Sequence, residues 1–239
     1  MDWAFTLETF ISLVAAIPLT LQLAASSIFL GAFLALALAL LRISGVPVLD
    51  WFARLYVFVF RGTPLLVQIF LIYYGLSQFT TIRHTFLWPI LREPYWCAVI
   101  ALTLNTAAYA SEIIRGGLLS VPLGQIEAAR ACGMPRVMVF RRIVLPLAIR
   151  QALPSCGNEM ISMVKATSLA SIITLMEVTG VAAKIISETY RAIEVFIVAG
   201  VIYLAINFLL TRFVHFIEYM LSAHLRAPQL QTPAQGDAK

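Results

Sequence analysis

Long apolar stretches separated by short polar connections dominate the chain. A helix that crosses a membrane needs about 20 mostly apolar residues, each adding about 1.5 Å of length. Ile17–Leu41 contains no charged residue, and four further stretches of similar length carry only a few. The pattern predicts an all-α integral membrane protein with five transmembrane helices, at about residues 17–41, 54–79, 95–114, 152–176 and 195–219.

Composition agrees with this pattern. Of the 239 residues, 61% are hydrophobic and 12% are charged, whereas about 25% of a soluble domain is charged. Asp2 and Glu8 precede the first apolar stretch without any Lys or Arg, which is not typical of a cleaved signal peptide. We therefore expect the first span to be retained. The three cysteines lack metal-binding spacing and are expected to be small reduced apolar residues.

The basic residues predict the orientation. Cytoplasmic segments of membrane proteins are enriched in Lys and Arg. With the N-terminus outside, the inner side holds twelve of these residues: Arg42, Arg54, Arg61, Arg115, Arg130, Arg136, Arg141, Arg142, Arg150, Arg212, Arg226 and Lys239. The outer side then holds four: Arg83, Arg92, Lys184 and Arg191. We expect residues 1–16 to lie outside and residues 226–239 to form a disordered cytoplasmic tail. The net charge of +5 is thus topological, and no nucleic-acid partner is expected.

A polar segment at residues 120–150 interrupts the apolar pattern. Residues 125–132 favour a short helix with Glu127 in its first turn, where the helix dipole favours a carboxylate. Gly133 supplies the left-handed position that commonly ends a helix, and Pro135 suits the start of a second helix. Helical periodicity fits two interpretations equally well, a segment on anionic lipid or a docking surface for another protein.

Several motifs make the chain recognisable. Glu127-Ala128-Ala129, Gly133 and Ile143-Val144-Leu145-Pro146 resemble the signature cytoplasmic loop of the membrane subunits of bacterial ABC importers. The segments RGTPLLVQ, LNTAAYASEIIRGG, VPLGQIEAARACGM, KATSLAS and TLMEVTG are similar, in order, to the polar amino acid permease family. Within that family the sequence is most similar to M-type subunits for histidine, arginine, octopine and nopaline.

The resemblance implies an ABC type I importer permease fold, with residues 17–225 as the permease domain and a cytoplasmic coupling helix in the loop 120–150. It implies docking of that loop on an ATP-binding subunit through Glu127, Ala128, Ala129, Arg130 and Gly133. The implied assembly, in the bacterial inner membrane, contains a homodimer of the ATP-binding subunit, a second related permease and a soluble periplasmic solute-binding protein. ATP and Mg²⁺ would bind the ATPase, because this chain lacks the G-x-x-x-x-G-K-[ST] motif. We expect no cofactor, metal or catalytic residue here.

Polar residues also lie within the predicted spans. On the fourth span Ser155, Asn158, Ser162 and Lys165 share one helical face, with Glu159 on its flank. On the third span Asn105, Tyr109 and Glu112 share a face. On the third span we expect hydrogen bonding between helices, for which small polar residues are common. On the fourth span, which holds two ionisable groups, we favour a substrate pathway over structural bonding.

A zwitterionic substrate would need both an acceptor and donors. On the pathway interpretation Glu159 accepts from its ammonium group, and Lys165 meets a carboxylate, of which opines have more than ordinary amino acids. The other candidates are Asn105, Tyr109, Asn158, Ser162, Thr167 and Ser168.

The motif Arg61-Gly62-Thr63-Pro64 predicts a break in the second span, because Pro64 lacks an N–H and disfavours helical geometry at Thr63. We expect a fixed kink capped by Thr63, with Arg61 at the inner interface.

The sequence as a whole predicts the permease subunit of an ATP-driven, binding-protein-dependent importer of a polar or basic amino acid or an opine. The alternative is a proton-coupled secondary transporter, with Glu159 and Lys165 as the relay. That alternative leaves the loop 120–150 without a role. The H-E-x-x-H and G-x-S-x-G motifs of intramembrane enzymes are missing from the sequence.

Overall fold

The computed structural model describes residues 2–221. Within that range the chain is helical and contains no strand. The expected tail at residues 226–239 lies outside the described range. The helices are α1 (Trp3–Ile43), α2 (Pro47–Gly62), α3 (Leu65–Phe70), α4 (Thr80–Arg83), α5 (Trp88–Leu91), α6 (Pro94–Leu119), α7 (Leu123–Ala131), α8 (Arg136–Val139), α9 (Leu145–Ala166), α10 (Val178–Thr189) and α11 (Ala192–Leu221).

Among residues 2–221, three helices are individually long and apolar enough to cross a membrane, namely α1, α6 and α11. Two bent pairs bring the candidates to five. One joins α2 to Leu65–Gln78 with a bend of 103°, and the other joins Arg136–Ile173 to α10 with a bend of 45°. The predicted all-α membrane architecture is confirmed, and five spans result when each bent pair counts as one.

The helix ends differ from the predicted span ends. α1 begins at Trp3, capped by the Asp2 side chain, which accepts a hydrogen bond from the N–H of Ala4 at 3.2 Å. Residues 3–16 are therefore continuous with the span expected at 17–41. The fourth span does not stay α-helical to residue 176, because α9 gives way to a 3₁₀ helix at Thr167–Ile173. The connection expected at residues 177–194 contains α10.

The interior is built around α1 and α6, which pack along each other. Small residues line this contact, including Ala24, Ala35, Ala98 and Ala107, all buried. Small side chains let two membrane helices approach closely and increase the dispersion contacts between them. These contacts matter in lipid because the hydrophobic effect does not drive helices together there. Helices α9, α10 and α11 pack against this pair.

A buried carboxylate fixes α10 to its neighbours. Glu177 is fully buried and accepts hydrogen bonds from the N–H groups of Thr179 (3.0 Å) and Gly180 (2.8 Å), so it caps the start of α10. The hydroxyl of Tyr203 on α11 donates to the same carboxylate at 2.8 Å. The N–H of Val178 donates to the hydroxyl of Thr20 on α1 at 3.2 Å. This cluster therefore ties three helices together.

Candidate functional site

The segment between α6 and α9 folds as a helix, a tight turn and a second helix. Gly133 has φ +77°, a conformation that costs an L-residue about 1–2 kcal/mol. Its N–H donates to the carbonyl of Arg130 (2.9 Å), and the N–H of Met134 donates to the carbonyl of Ala129 (3.2 Å). This pair of bonds is the Schellman motif, which satisfies the free carbonyls at the end of α7. The predicted turn is where the structure places it.

The residues expected to couple to an ATPase divide into two groups. Glu127, Ala128, Arg130 and Gly133 are exposed, whereas Ala129 is buried inside the loop. The small side chain of Ala129 therefore serves the packing of the segment itself. The expected first-turn position of Glu127 is wrong, because α7 begins at Leu123 and places Glu127 in the second turn. Pro135 directly precedes α8.

The exposed surface of this segment combines apolar and basic side chains. Leu123 and Val137 are 74% and 70% exposed. A groove of about 440 Å³ is lined by Pro135, Val137, Met138, Arg141 and Arg142. Large apolar side chains exposed next to charged ones are typical of protein or membrane interaction sites. The segment therefore offers an interaction surface.

The polar face of α9 points out of the chain. Ser155, Asn158, Ser162 and Lys165 are all exposed, and no residue from 2 to 221 makes a hydrogen bond or ion pair with their side chains. Glu159, on the flank of this face, is half-buried. The structure thus brings these predicted pathway residues together on one open surface.

The side chains of two further pathway candidates form hydrogen bonds with backbone carbonyls. Thr167 is fully buried and donates to the carbonyl of Val164 at 2.7 Å, so it does not belong to the open face. The hydroxyl of Ser168 donates to the carbonyl of Lys165 at 2.7 Å. Both residues lie where α9 becomes a 3₁₀ helix.

The kink between α2 and α3 contacts α6. The side-chain amide of Gln68 donates to the carbonyls of Phe60 (2.9 Å) and Thr63 (3.1 Å) and to the Thr63 hydroxyl (2.8 Å). Asn105 on α6 donates to Gln68 (3.1 Å) and to the Phe60 carbonyl (3.2 Å). Asn105 therefore stabilises the kink. Gln68 makes more of the capping hydrogen bonds than Thr63, the residue expected to cap the kink.

Tyr109 lies one turn further along α6, under the guanidinium of Arg61. Arg61 Cζ is 4.9 Å from the centroid of the Tyr109 ring.

The end of the bundle near the connection between α1 and α2 holds a charge network. Glu112 pairs with Arg42 and with Arg115, the latter at 2.7 Å, while Arg42 also pairs with Asp50 at 2.9 Å. Asp50 pairs in turn with Arg54. Glu112 is therefore neutralised by two arginines and is not part of the open polar face.

Sequence reasoning did not find Gln68 or Glu177. Gln68 lies in an apolar run, and only its position four residues after Pro64 suggests a side chain that satisfies the freed carbonyls. Glu177 lies three residues before Gly180, where an acceptor can cap a helix, but glutamate is not among the usual capping residues. Neither pattern is specific enough to predict the observed contacts.

The sequence and the fold both match known transport proteins. Residues 27–221 match the family described as binding-protein-dependent transport system inner membrane component. The octopine transport system permease protein of Rhizobium radiobacter is 61% identical over 97% of this chain and 94% of its own length. The nopaline transport system permease protein of Agrobacterium fabrum is 54% identical over 95% of each chain.

A solved structure supports the same assignment. The crystal structure of an amino acid ABC transporter with histidines contains a chain that superposes with a TM-score of 0.82. That chain is 33% identical, and the match covers 92% of this chain and 99% of that one.

Proposed function

This chain belongs to the family of binding-protein-dependent transport system inner membrane components, and we propose that it carries an opine of the octopine or nopaline type, or a basic amino acid, into the bacterial cytoplasm. It is a multi-pass inner membrane protein and a permease subunit. Importers of this kind combine permeases with an ATPase and a periplasmic binding protein. Our specific proposal is a homodimeric ATP-binding subunit that holds ATP and Mg²⁺, a related but different second permease, and an N-terminus outside the cell.

The unpartnered polar face of α9 is the observation that carries this proposal. Its side chains include Lys165, and a charged side chain facing lipid at the bilayer centre costs about 2.5–3.5 kcal/mol on insertion scales. Because no residue from 2 to 221 covers this face, a second subunit and a polar passage between the two permeases would relieve that cost. The substrate would then cross between two such faces.

The chemistry of the face suits a substrate that carries both charges. Glu159 would accept hydrogen bonds from the ammonium or guanidinium group of a basic substrate, as a charge-assisted pair. Asn158 and Ser162 would donate to or accept from its other polar groups. Lys165 lies six residues from Glu159, or roughly 9 Å along the helix. It would meet the additional carboxylate that an opine carries.

The exposed part of the segment 120–150, called the coupling segment below, would transmit movement from the ATPase. Glu127, Ala128 and Arg130 lie on the surface of α7 beside the apolar side chain of Leu123. A groove in the ATP-binding subunit would accept this helix, and the Gly133 turn would hold α7 and α8 at a fixed angle. Movement of the groove would then shift α9, which follows α8 through the short π-helix Phe140–Val144.

Replacement of Glu159 by glutamine tests the pathway. Glu159 makes no hydrogen bond or ion pair within 4.0 Å to any residue from 2 to 221, so Glu159→Gln removes a charge without breaking an internal bond. We expect uptake of L-arginine or octopine by the reconstituted importer to fall about 10- to 100-fold in kcat/KM, the effect of losing one charge-assisted hydrogen bond.

The matched control is Glu188→Gln. Glu188 is an exposed glutamate on α10, and its replacement should leave uptake at the wild-type level. Assembly of both variants with the ATPase is measured by gel filtration. Full uptake by a correctly assembled Glu159→Gln variant would remove Glu159 from the pathway.

A further inference from the structure

An apolar groove runs between α1, α6 and α9, next to the segment 120–150. Its volume is about 460 Å³, which is within the range of pockets that bury a small ligand. Every residue that lines it is apolar or a cysteine, and the set includes Leu36, Ile43, Ile114, Phe140 and Cys156. Contiguous apolar surface of this extent marks a site of contact with lipid or with a partner.

A tight helix contact closes the floor of the groove. Gly117 on α6 is buried, and a Cβ at this position would lie 2.7 Å from the carbonyl oxygen of Ala148 and 3.0 Å from the Cβ of Ala152, both on α9. The two helices therefore leave no room for a side chain between them. Because Ala148 and Ala152 also line the groove, an occupant lies on top of this contact and does not separate the helices.

The groove lies on the side of α9 away from its polar face. At about 100° per residue, the α9 side chains that line the groove are centred roughly 130° around the helix from Ser155, Asn158, Ser162 and Lys165. Under the proposed function, that polar face is turned toward the second permease. The groove then faces away from this interface and toward lipid.

The length of the groove corresponds to one leaflet of the membrane. Its α9 side chains extend from Leu145 to Cys156, eleven residues or roughly 16 Å along the helix. One leaflet supplies about 15 Å of a hydrocarbon core that is roughly 30 Å thick. An acyl chain that enters beside Leu145 therefore extends as far as Cys156.

Basic residues surround the Phe140 end of the groove. The sequence from 128 to 158 contains five arginines and no Asp or Glu. Arg141 and Arg142 lie between two groove residues, Phe140 and Val144, in the short π-helix. Both arginines are exposed, and neither makes a hydrogen bond or ion pair with the described part of the chain. Basic clusters of this kind attract anionic lipid headgroups, and arginine binds phosphate in a bidentate manner.

We propose that the groove holds an acyl chain of an anionic phospholipid whose phosphate binds Arg141 and Arg142. The side chains of Phe140 and Val144 contact the chain, and the guanidinium groups between them in sequence bind the headgroup. This site is separate from the α7 residues proposed to dock on the ATPase. The π-helix joins α8 to α9, so the bound lipid stabilises the junction through which movement of the coupling segment reaches α9.

The test measures lipid binding to the assembled permease–ATPase complex by native mass spectrometry in detergent. The probes are dioleoylphosphatidylglycerol, which is anionic, and dioleoylphosphatidylcholine, which is neutral overall. We expect Arg141→Gln/Arg142→Gln to raise the Kd for phosphatidylglycerol about 10- to 100-fold, because charge-assisted hydrogen bonds to the phosphate are lost. The Kd for phosphatidylcholine should stay at the wild-type value. Glycerol phosphate, which lacks acyl chains, should not compete with either lipid.

A second variant tests the acyl chain. Cys156→Phe fills the groove at the end away from the arginines and should weaken binding of both lipids. Cys132→Phe makes the same replacement at an exposed cysteine that does not line the groove. It is the matched control and should weaken binding of neither lipid.

The charge control is Arg83→Gln/Arg92→Gln, which removes the same charge on the connection between α3 and α6 and should change neither Kd. Wild-type affinity for phosphatidylglycerol in Arg141→Gln/Arg142→Gln, or an equal loss for both lipids, would overturn the proposal. So would unchanged binding in Cys156→Phe, competition by glycerol phosphate, or absence of phosphatidylglycerol binding to the wild-type complex. No transported substrate is used, so the outcome is independent of the proposed substrate class.

Discussion

Removal of the buried Glu177 carboxylate should destabilise the chain more than removal of any exposed carboxylate on the same helix. Glu177 is fully buried and receives three hydrogen bonds, from the N–H groups of Thr179 and Gly180 and from the Tyr203 hydroxyl. Glu177→Ala leaves all three donors without this acceptor. Because the cluster joins α10 to α11, the effect should extend beyond the end of one helix.

The size of the stability loss follows from the hydrogen bonds that remain after the substitution. The Tyr203 hydroxyl keeps a partner, because the Thr179 hydroxyl lies 3.1 Å away. The two N–H groups have no such replacement, and each buried donor left unsatisfied costs about 1–3 kcal/mol. The free energy of unfolding should therefore fall by about 2–6 kcal/mol. At the lower limit this corresponds to a decrease of roughly 4–8 °C in Tm for a chain of this size.

The assay measures thermal unfolding by the exposure of the buried Cys97 thiol. A thiol-reactive dye labels this fully buried cysteine only when the bundle opens on heating. Cys132→Ser and Cys156→Ser provide the background, because those two side chains are at least partly exposed. Glu177→Gln, which keeps one acceptor oxygen, should fall between wild type and Glu177→Ala.

The comparison variant is Glu188→Ala on the exposed surface of α10, for which we expect an unchanged Tm. If Glu177→Ala also melts at the wild-type temperature, the carboxylate does not hold α10 in place and the reasoning from its three hydrogen bonds is refuted.

Three further predictions concern the coupling segment and the packing of α9. Glu127→Lys should leave membrane insertion intact but reduce co-purification of the ATPase, because Glu127 is exposed; normal co-purification would refute its docking role. Gly133→Ala should weaken the same docking, because Gly133 has φ +77° and an alanine in that conformation costs about 1 kcal/mol or more. Gly124→Ala is the control: Gly124 has open space around it, and its replacement should not weaken docking. Gly157→Ala should lower the Tm because its Cβ would overlap Val214 on α11, and Val214→Ala should restore it; additive losses in the double variant would contradict the contact.

The sequence predicted the features that local chemistry determines. Gly133 marks the turn because the left-handed conformation favours glycine, and Pro64 marks the end of α2 because it cannot continue the helix. The exposed face of α9 follows from the spacing of Asn158, Ser162 and Lys165, which is a property of any helix. These features require no knowledge of neighbouring helices.

Tertiary contacts determine what the sequence did not predict. The seven residues Thr167–Ile173 form a 3₁₀ helix although they contain neither Gly nor Pro. The hydrogen bond between Gln68 and Asn105 and the stacking of Arg61 on Tyr109 join segments far apart in the chain. Because they depend on how α2, α3 and α6 pack, these contacts could not be predicted from the sequence around Pro64.

The central claim is that this permease works in an ATP-driven importer whose substrate path includes the open face of α9. The direct measurement is uptake of L-arginine and octopine into liposomes that contain this chain, a second permease, the ATPase and the binding protein. Each substrate is tested with and without ATP inside and with and without a proton ionophore. We predict uptake that requires ATP and the binding protein and that persists with the ionophore. Uptake that proceeds without ATP and stops with the ionophore would contradict the account and favour a proton-coupled transporter.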